Sequence, residues 1–377
     1  MRVIVTGATG FIGSELTRRL ACDHKISSIQ VIIRPLPGLT CADRFARLEK
    51  QWQTSDLTLN HQQKKKIELK SLDIGKRLNT VKLLPADIMF HLAASTSLGD
   101  PITLARRHNL FSTQNALHLA ENVPELSRFV HVSTAYVAGR QRGVITESMA
   151  SLDGDFHNHY ERSKLEAEKC VESSGLPYTI IRPSIVVGRS SDGYAPKMQV
   201  LYSAWRAWLS GCLPRAPLDP NGWVDLIPLD FACDGIRALA IHPISLGETL
   251  HLCAGPNRTR SLEILDTACR VFKQPRPKLA PPWVVDYLRM PWVARHLPHN
   301  LRSMIEVMRW HVPYLGMANR IFDTQNTNDI LNPIGITCPS FSDYGQKLFE
   351  YLQQTSWGKK PLSSQSPFQI KGALCSV

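Results

Sequence analysis

The 377-residue chain lacks what would mark it as a membrane-spanning, disulfide-bonded or metal-binding protein. No uncharged apolar run reaches the ~20 residues that a helix needs to cross a bilayer. An apolar strand starting at Arg2 leaves no room for a signal peptide, so a cytoplasmic location is expected. The nine cysteines stand at 22, 41, 170, 212, 233, 253, 269, 338 and 375, and none forms a CxxC pair. Such an odd, irregular set reads as reduced thiols rather than a disulfide framework. No metal is expected either: His157 and His159 flank Asn158, but no Cys or second His cluster completes a ligand set. No nucleic-acid-binding motif accompanies the net charge of +12, and no internal repeat is present. The charge instead suits anionic partners, with a generally basic surface as the plain alternative. Lys64-Lys65-Lys66, the one dense run, reads as a solvated loop edge.

What is present is an ordinary globular composition, 43% apolar and 20% charged. Short apolar runs at 2–6, 29–33, 67–72, 88–92, 129–133 and 178–181 read as strands. Helical patterns lie between them, notably over 104–121 and 159–173. That alternation predicts an α/β fold with a parallel, doubly wound sheet. We expect a Rossmann domain over 1–190 and a smaller, mainly helical substrate lobe over 191–355. Thr249–Cys253 reads as a strand returning to the main sheet, and 356–377 as a loose polar tail. Residues 283–297, apolar and broken by Pro291, read as substrate lobe or core helix, with peripheral lipid contact as the alternative.

Thr6-Gly7-Ala8-Thr9-Gly10-Phe11-Ile12-Gly13 follows the first strand and opens a helix. Its three glycines allow a tight turn, close approach of a pyrophosphate, and helix–strand packing. The helix N-terminus then offers free N–H groups to the phosphates. Where an NAD-binding fold carries an acidic residue after its second strand, this chain has Arg34, followed by Arg44. Guanidinium groups suit a 2′-phosphate, which favours NADPH over NADH. Tyr160 and Lys164, four apart on a predicted helix, share one face. A Tyr titrating near ~10 needs a nearby cation to serve as a proton donor and acceptor at neutral pH.

These motifs together resemble the extended short-chain dehydrogenase/reductases over about residues 1–190. Phe90-His91-Leu92-Ala93-Ala94 resembles the family's fourth-strand motif, and Val132-Ser133-Thr134-Ala135 the fifth-strand motif. The resemblance implies that Thr134 supplies a catalytic hydroxyl beside Tyr160 and Lys164, and that Asn109 supports the proton relay. Asp73-Ile74 matches the adenine-contacting pair, and Arg182-Pro183-Ser184 the turn beside the nicotinamide. The implied cofactor-binding set is Gly7, Thr9, Gly10, Phe11, Ile12, Gly13, Arg34, Arg44, Asp73, Ile74, Ala93, Ala94, Lys164, Pro183 and Ile185.

Within that family the chain is similar to the fatty acyl-CoA reductase and thioester reductase group. The cues are Ser133-Thr134-Ala135-Tyr136-Val137, Arg182 through Gly188, Arg34 with Arg44, and Phe322-Asp323 before Leu331. One departure is Ser112, where the helix after Asn109 usually has glycine. The resemblance implies an NADPH-dependent oxidoreductase acting on an apolar acyl thioester, aldehyde or ketone. The thioester would be presented by coenzyme A or an acyl carrier protein. A nucleotide-sugar epimerase or dehydratase, and a non-catalytic NADP-binding regulator, are the alternatives. Trp205, Trp208, Trp223 and Trp283 are candidates to line the substrate pocket, although core packing is the commoner fate of tryptophan.

Overall fold

The computed structural model describes residues 1–53, 57–76, 83–148, 150–198, 200–209, 215–316 and 320–358, except the side chains at 200, 203, 207, 208 and 300. Seven short strands make one sheet: β1 (Arg2–Thr6), β2 (Ser28–Ile33), β3 (Ile67–Ser71), β4 (Ile88–His91), β5 (Arg128–Val132), β6 (Tyr178–Pro183) and β7 (Thr249–Leu252). All run parallel, in the order β7-β6-β5-β4-β1-β2-β3. The six strands read between residues 2 and 181 all form, with ends shifted by one or two residues.

The strands are near-continuous apolar runs because helices cover both faces of the sheet. Successive side chains alternate between the faces. Val3 and Val5 of β1 join one core with Leu16, Leu20, Ile236 and Leu239, while Ile4 joins the other with Met89, Phe129, Leu117 and Val171. The strand order reverses where β1 lies between β2 and β4. Such a switch point opens a crevice at the carboxyl ends of the strands.

The helix expected over 104–121 is interrupted. Ile102–Arg106 and Ser112–Glu121 are α-helical, and Arg107–Phe111 between them is a π turn that carries Asn109. The helix bearing Tyr160 and Lys164 runs His159–Glu172, and the Asn158 side chain caps it by accepting from Glu161 N at 3.1 Å.

Later segments build a second core from helices Val200–Leu209, Ser261–Phe272, His299–His311 and Phe341–Gln354, around Tyr202, Trp205, Leu265, Met308 and Phe349. The chain does not stay in that lobe. Helix Leu229–Ile241 packs against helix Phe11–Cys22, and β7 extends the main sheet. Residues 283–297 belong to the lobe: Val285 joins its core, with Leu288 and Leu297 packed against it. Pro291 starts a separate short helix, and Trp283 and Trp292 are exposed. Among the described residues no helix is long and apolar enough to cross a membrane, and no group of three His, Cys, Asp or Glu is placed to hold a metal ion. Residues 359–377 of the expected tail lie outside the described residues.

Candidate active site

Two cavities meet over the glycine turn. Gly7 sits at φ +73°, and a Cβ there would come within 2.5 Å of the Leu92 carbonyl carbon. A Cβ on Gly13 would lie 2.2 Å from the Gly7 oxygen. The turn is therefore pressed against β4 and its own helix in a way only glycine permits. Gly10 caps helix Phe11–Cys22 without a side-chain hydrogen bond, so no cap side chain competes for the first N–H groups.

One cavity, of about 350 Å³, is lined by Thr9, Arg34, Arg44, Asp73, Ile74 and Ala93 among others. The other, of about 450 Å³, is lined by Phe11, Ile12, Gly13, Thr134, Tyr160, Lys164, Pro183 and Ile185 among others. Gly7, Gly10, Leu92, Ala94 and Lys197 border both. An extended dinucleotide with its phosphates at the centre fits this arrangement. Every residue of the expected cofactor set borders one of the two cavities.

The first cavity is cationic. Arg44 Nη2 donates to Thr9 Oγ1 at 2.8 Å and Nη1 to the Arg34 carbonyl. Partial burial and the Arg34 charge hold the Arg44 pKa below its ordinary value. Lys197, which the sequence reading missed, donates to the Thr9 carbonyl, and burial and the Arg44 charge lower its pKa. No motif announces Lys197; it reaches the turn from a loop 188 residues downstream. Asp73 Oδ1 accepts from Gly75 N at 3.0 Å, which shapes the loop under the same cavity.

In the second cavity, burial pushes the Tyr160 phenol up to about 12, the Thr134 side chain beside it pulls down, and the Glu161 charge pushes up again. Burial pushes the Lys164 ammonium down to about 8, against the opposing pull of Glu168. Lys164 Nζ donates to the Val132 carbonyl at 2.9 Å and lies 3.4 Å from His131 Nε2. His131 and His91 stack at 5.5 Å, and burial, reinforced by the Lys164 charge, lowers both pKa values. His91 is at about 3, so it is neutral and bridges Thr6 Oγ1 (2.8 Å) and Thr113 Oγ1 (3.1 Å). This imidazole pair beneath Lys164 escaped the sequence reading, although His91 stands inside the fourth-strand motif and His131 directly precedes the fifth.

Asn109 borders neither cavity. Its Oδ1 accepts from Ser95 N at 2.8 Å and its Nδ2 donates to Ser163 Oγ at 2.9 Å. The buried amide thus ties the loop after β4 to the tyrosine helix. The π turn adds a residue to the helical turn that presents it. Arg182 forms a buried two-pronged ion pair with Glu168, at 3.0 and 2.8 Å, which fixes the Pro183 turn against the same helix.

The second cavity is also lined by Leu98, Tyr136, Met198, Leu201, His311 and Tyr314. Tyr314 Oη donates to Glu161 Oε1 at 2.5 Å and accepts from Asn158 Nδ2 at 2.6 Å, so the later part of the chain is bonded to the start of the tyrosine helix. The tryptophan expectation fails for every described side chain. Trp205 is buried in the lobe core, Trp223 lies under Arg258 and Arg260 at 4.7 and 4.1 Å, and Trp283 is exposed. None of the three borders this cavity, and the Trp208 side chain lies outside the description. The described tryptophans fill core and surface here, while tyrosine, leucine and methionine side chains shape the pocket.

Residues 5–236 match the family model described as Male sterility protein, which covers well over half the chain. The chain is 27% identical to fatty acyl-CoA reductase 1 of Xenopus laevis, over 63% of this chain and 54% of that protein. It is 25% identical to aldehyde reductase lnaA of Aspergillus flavus, over 95% of this chain and 37% of that protein. It therefore spans only about a third to a half of these two relatives. Among solved structures, the terminal R domain of the myxalamid PKS-NRPS biosynthetic pathway superposes with a TM-score of 0.78, at 23% identity over 96% of this chain and 92% of that one. UDP-glucuronic acid 4-epimerase from Bacillus cereus, solved with NAD, superposes with a TM-score of 0.66 at 22% identity, over 96% of this chain and 100% of that one. At these identities the two structures share the fold.

Proposed function

The chain belongs to the Male sterility protein family, and from that premise we propose that it is an NADPH-dependent reductase acting on the carbonyl of an apolar acyl thioester, aldehyde or ketone. The observation that carries the reading is that Thr134, Tyr160 and Lys164 border a cavity that adjoins a cationic dinucleotide trough. Bound NADPH would supply the hydride. The helix N-terminus at Gly10 and the Lys197 ammonium would hold its phosphates, and Arg34 and Arg44 its 2′-phosphate.

The protein's own side chains supply the proton. Tyr160, with its pKa at about 12, keeps its proton through neutral pH and would donate it from Oη to the carbonyl oxygen. The Thr134 hydroxyl would hydrogen-bond that oxygen as negative charge develops on it. Lys164, at about 8, is mostly charged at neutral pH and would favour the phenolate left behind. Asn109 would act through Ser163 as a positioning residue for this helix.

Leu98, Met198 and Leu201 in the lining of the second cavity suit an acyl chain better than a sugar. A substrate presented by coenzyme A or a carrier protein would bring phosphate to a chain of net charge +12. The seven described cysteines are free thiols, which suits the cytoplasmic setting proposed for it.

The test is NADPH consumption, with product analysis, across acyl-CoAs, aldehydes, cyclic ketones and UDP- or GDP-sugars. Turnover of thioesters or apolar carbonyl compounds supports the reading. Turnover of sugars alone, with the cofactor recycled, replaces it with an epimerase. Binding of NADPH with no turnover of any substrate favours a regulator.

A further inference from the structure

We infer that the edge of the lobe formed by residues 283–307 is a docking surface for an anionic lipid bilayer. Trp283 is 63% exposed, Trp292 55%, Met290 43%, Tyr287 42% and Val307 42%. These residues are contiguous. Trp283 meets Tyr287 edge-on at 6.5 Å, and Tyr287 meets Trp292 at 5.6 Å. Val307 stands on helix His299–His311, which packs against helix Val284–Arg289. Single exposed apolar side chains are common on soluble proteins, whereas a joined group with two tryptophans marks a contact surface.

The charge around this ridge is positive. Its two carboxylates are already engaged: Glu306 by Arg289 at 3.0 Å and Arg309 at 3.1 Å, and Asp286 by Arg289 at 3.6 Å. Among the described residues neither Arg295 nor Arg302 pairs with a carboxylate: Arg295 Nε donates to the His296 ring at 3.0 Å and Arg302 Nη2 to the Ala294 carbonyl at 2.7 Å. Both arginines stand in the same stretch of chain as the exposed indole and phenol rings. Aromatic rings with polar tips, set beside arginines that reach from apolar stems, suit the headgroup layer of an anionic membrane. Helices Val284–Arg289 and Pro291–Ala294, of six and four residues, carry Tyr287 and Trp292 at this edge and are each too short to present a long continuous helix face. A protein partner would need a surface shaped to that edge, whereas a bilayer interface adapts to it. Net charge of +12 adds long-range attraction to an anionic surface. Trp283, Tyr287, Met290, Trp292 and Val307 border neither cavity, so the inference stands apart from the substrate reading.

The test uses the full chain with vesicles of phosphatidylcholine alone and of phosphatidylcholine with one third phosphatidylglycerol. Binding is read by co-sedimentation, and insertion by quenching of tryptophan fluorescence with brominated lipids. We expect binding to the anionic vesicles with quenching. Trp283→Ser with Trp292→Ser should weaken it roughly tenfold or more. Arg295→Gln with Arg302→Gln should weaken binding to anionic vesicles about five- to tenfold and leave neutral vesicles unaffected. NADPH affinity and melting temperature, unchanged in both variants, would show that the fold is intact. Failure of the wild type to bind either vesicle at micromolar concentration would overturn the inference. So would a tryptophan variant that binds like wild type, or a wild-type dimer that this variant dissolves, which would make the occupant a second copy.

Discussion

The cofactor side of the site is centred on one continuous glycine turn, and the substrate side is made of side chains drawn from distant segments. On the cofactor side, a Cβ on Gly7 or Gly13 would fall within 2.6 Å of other backbone, so almost any substitution there breaks the turn. On the substrate side, Leu98, Tyr136, Leu201, His311 and Tyr314 come from four separate stretches. The phosphates of a dinucleotide are read by N–H groups whose directions are set by φ and ψ, and such geometry leaves short motifs in a sequence. An apolar pocket needs only volume and burial, which many side chains can supply. Tyr160 and Lys164 stand at the boundary and serve both sides.

Breaking the boundary should have the largest effect. Tyr160→Phe should lower kcat by ~10²–10⁴-fold and leave NADPH affinity nearly unchanged, as measured by steady-state kinetics and cofactor titration. Retention of more than about a tenth of the activity would remove Tyr160 as the main acid.

Lys164 should show itself in stability against pH. Below about pH 8 the side chain is protonated in both folded and unfolded chains. Between there and its ordinary value of 10.5 the folded side chain has lost the proton that the unfolded one keeps. The unfolded state then binds more protons, so stability rises with pH across that window. Denaturant unfolding of wild type minus Lys164→Met, without cofactor, should rise by roughly 1–3 kcal/mol from pH 8 to 10.5. A flat difference would mean that burial does not lower this pKa.

Arg34→Ala with Arg44→Ala should reduce the preference for NADPH over NADH by about tenfold or more, mostly through weaker NADPH binding. Equal affinities in the wild type would contradict the assignment. Leu98→Ala, on the substrate side, should raise KM for an apolar substrate by roughly three- to tenfold and leave NADPH binding alone. An equal change in both would mean that the two sides are not separable.

The same division explains what could be read in advance. The parallel sheet was legible because each strand is a short apolar run bounded by turns, and residues lining the two cavities because the turn at 7–13 and Arg34 follow their strands closely. Asn109 was visible as a residue in a helix, but not as a tie between Ser95 and Ser163, because the π turn leaves no mark in the spacing of apolar residues. Lys197 and Tyr314 were invisible for another reason. Each reaches its partner across more than 150 residues, and that proximity exists only after the chain has folded. The tryptophans misled because ring size was taken as a sign of a pocket, whereas Trp205 fills the lobe core and Trp283 faces solvent.

The central claim is a net reduction in which Tyr160 supplies the proton. It is tested most directly with NADPH carrying deuterium at the transferable position of the nicotinamide, incubated with an acyl-CoA or long-chain aldehyde, followed by mass spectrometry of the product. The account predicts deuterium on the former carbonyl carbon, stoichiometric NADP, and neither with Tyr160→Phe. Turnover that leaves the product without deuterium and the cofactor unconsumed would contradict it.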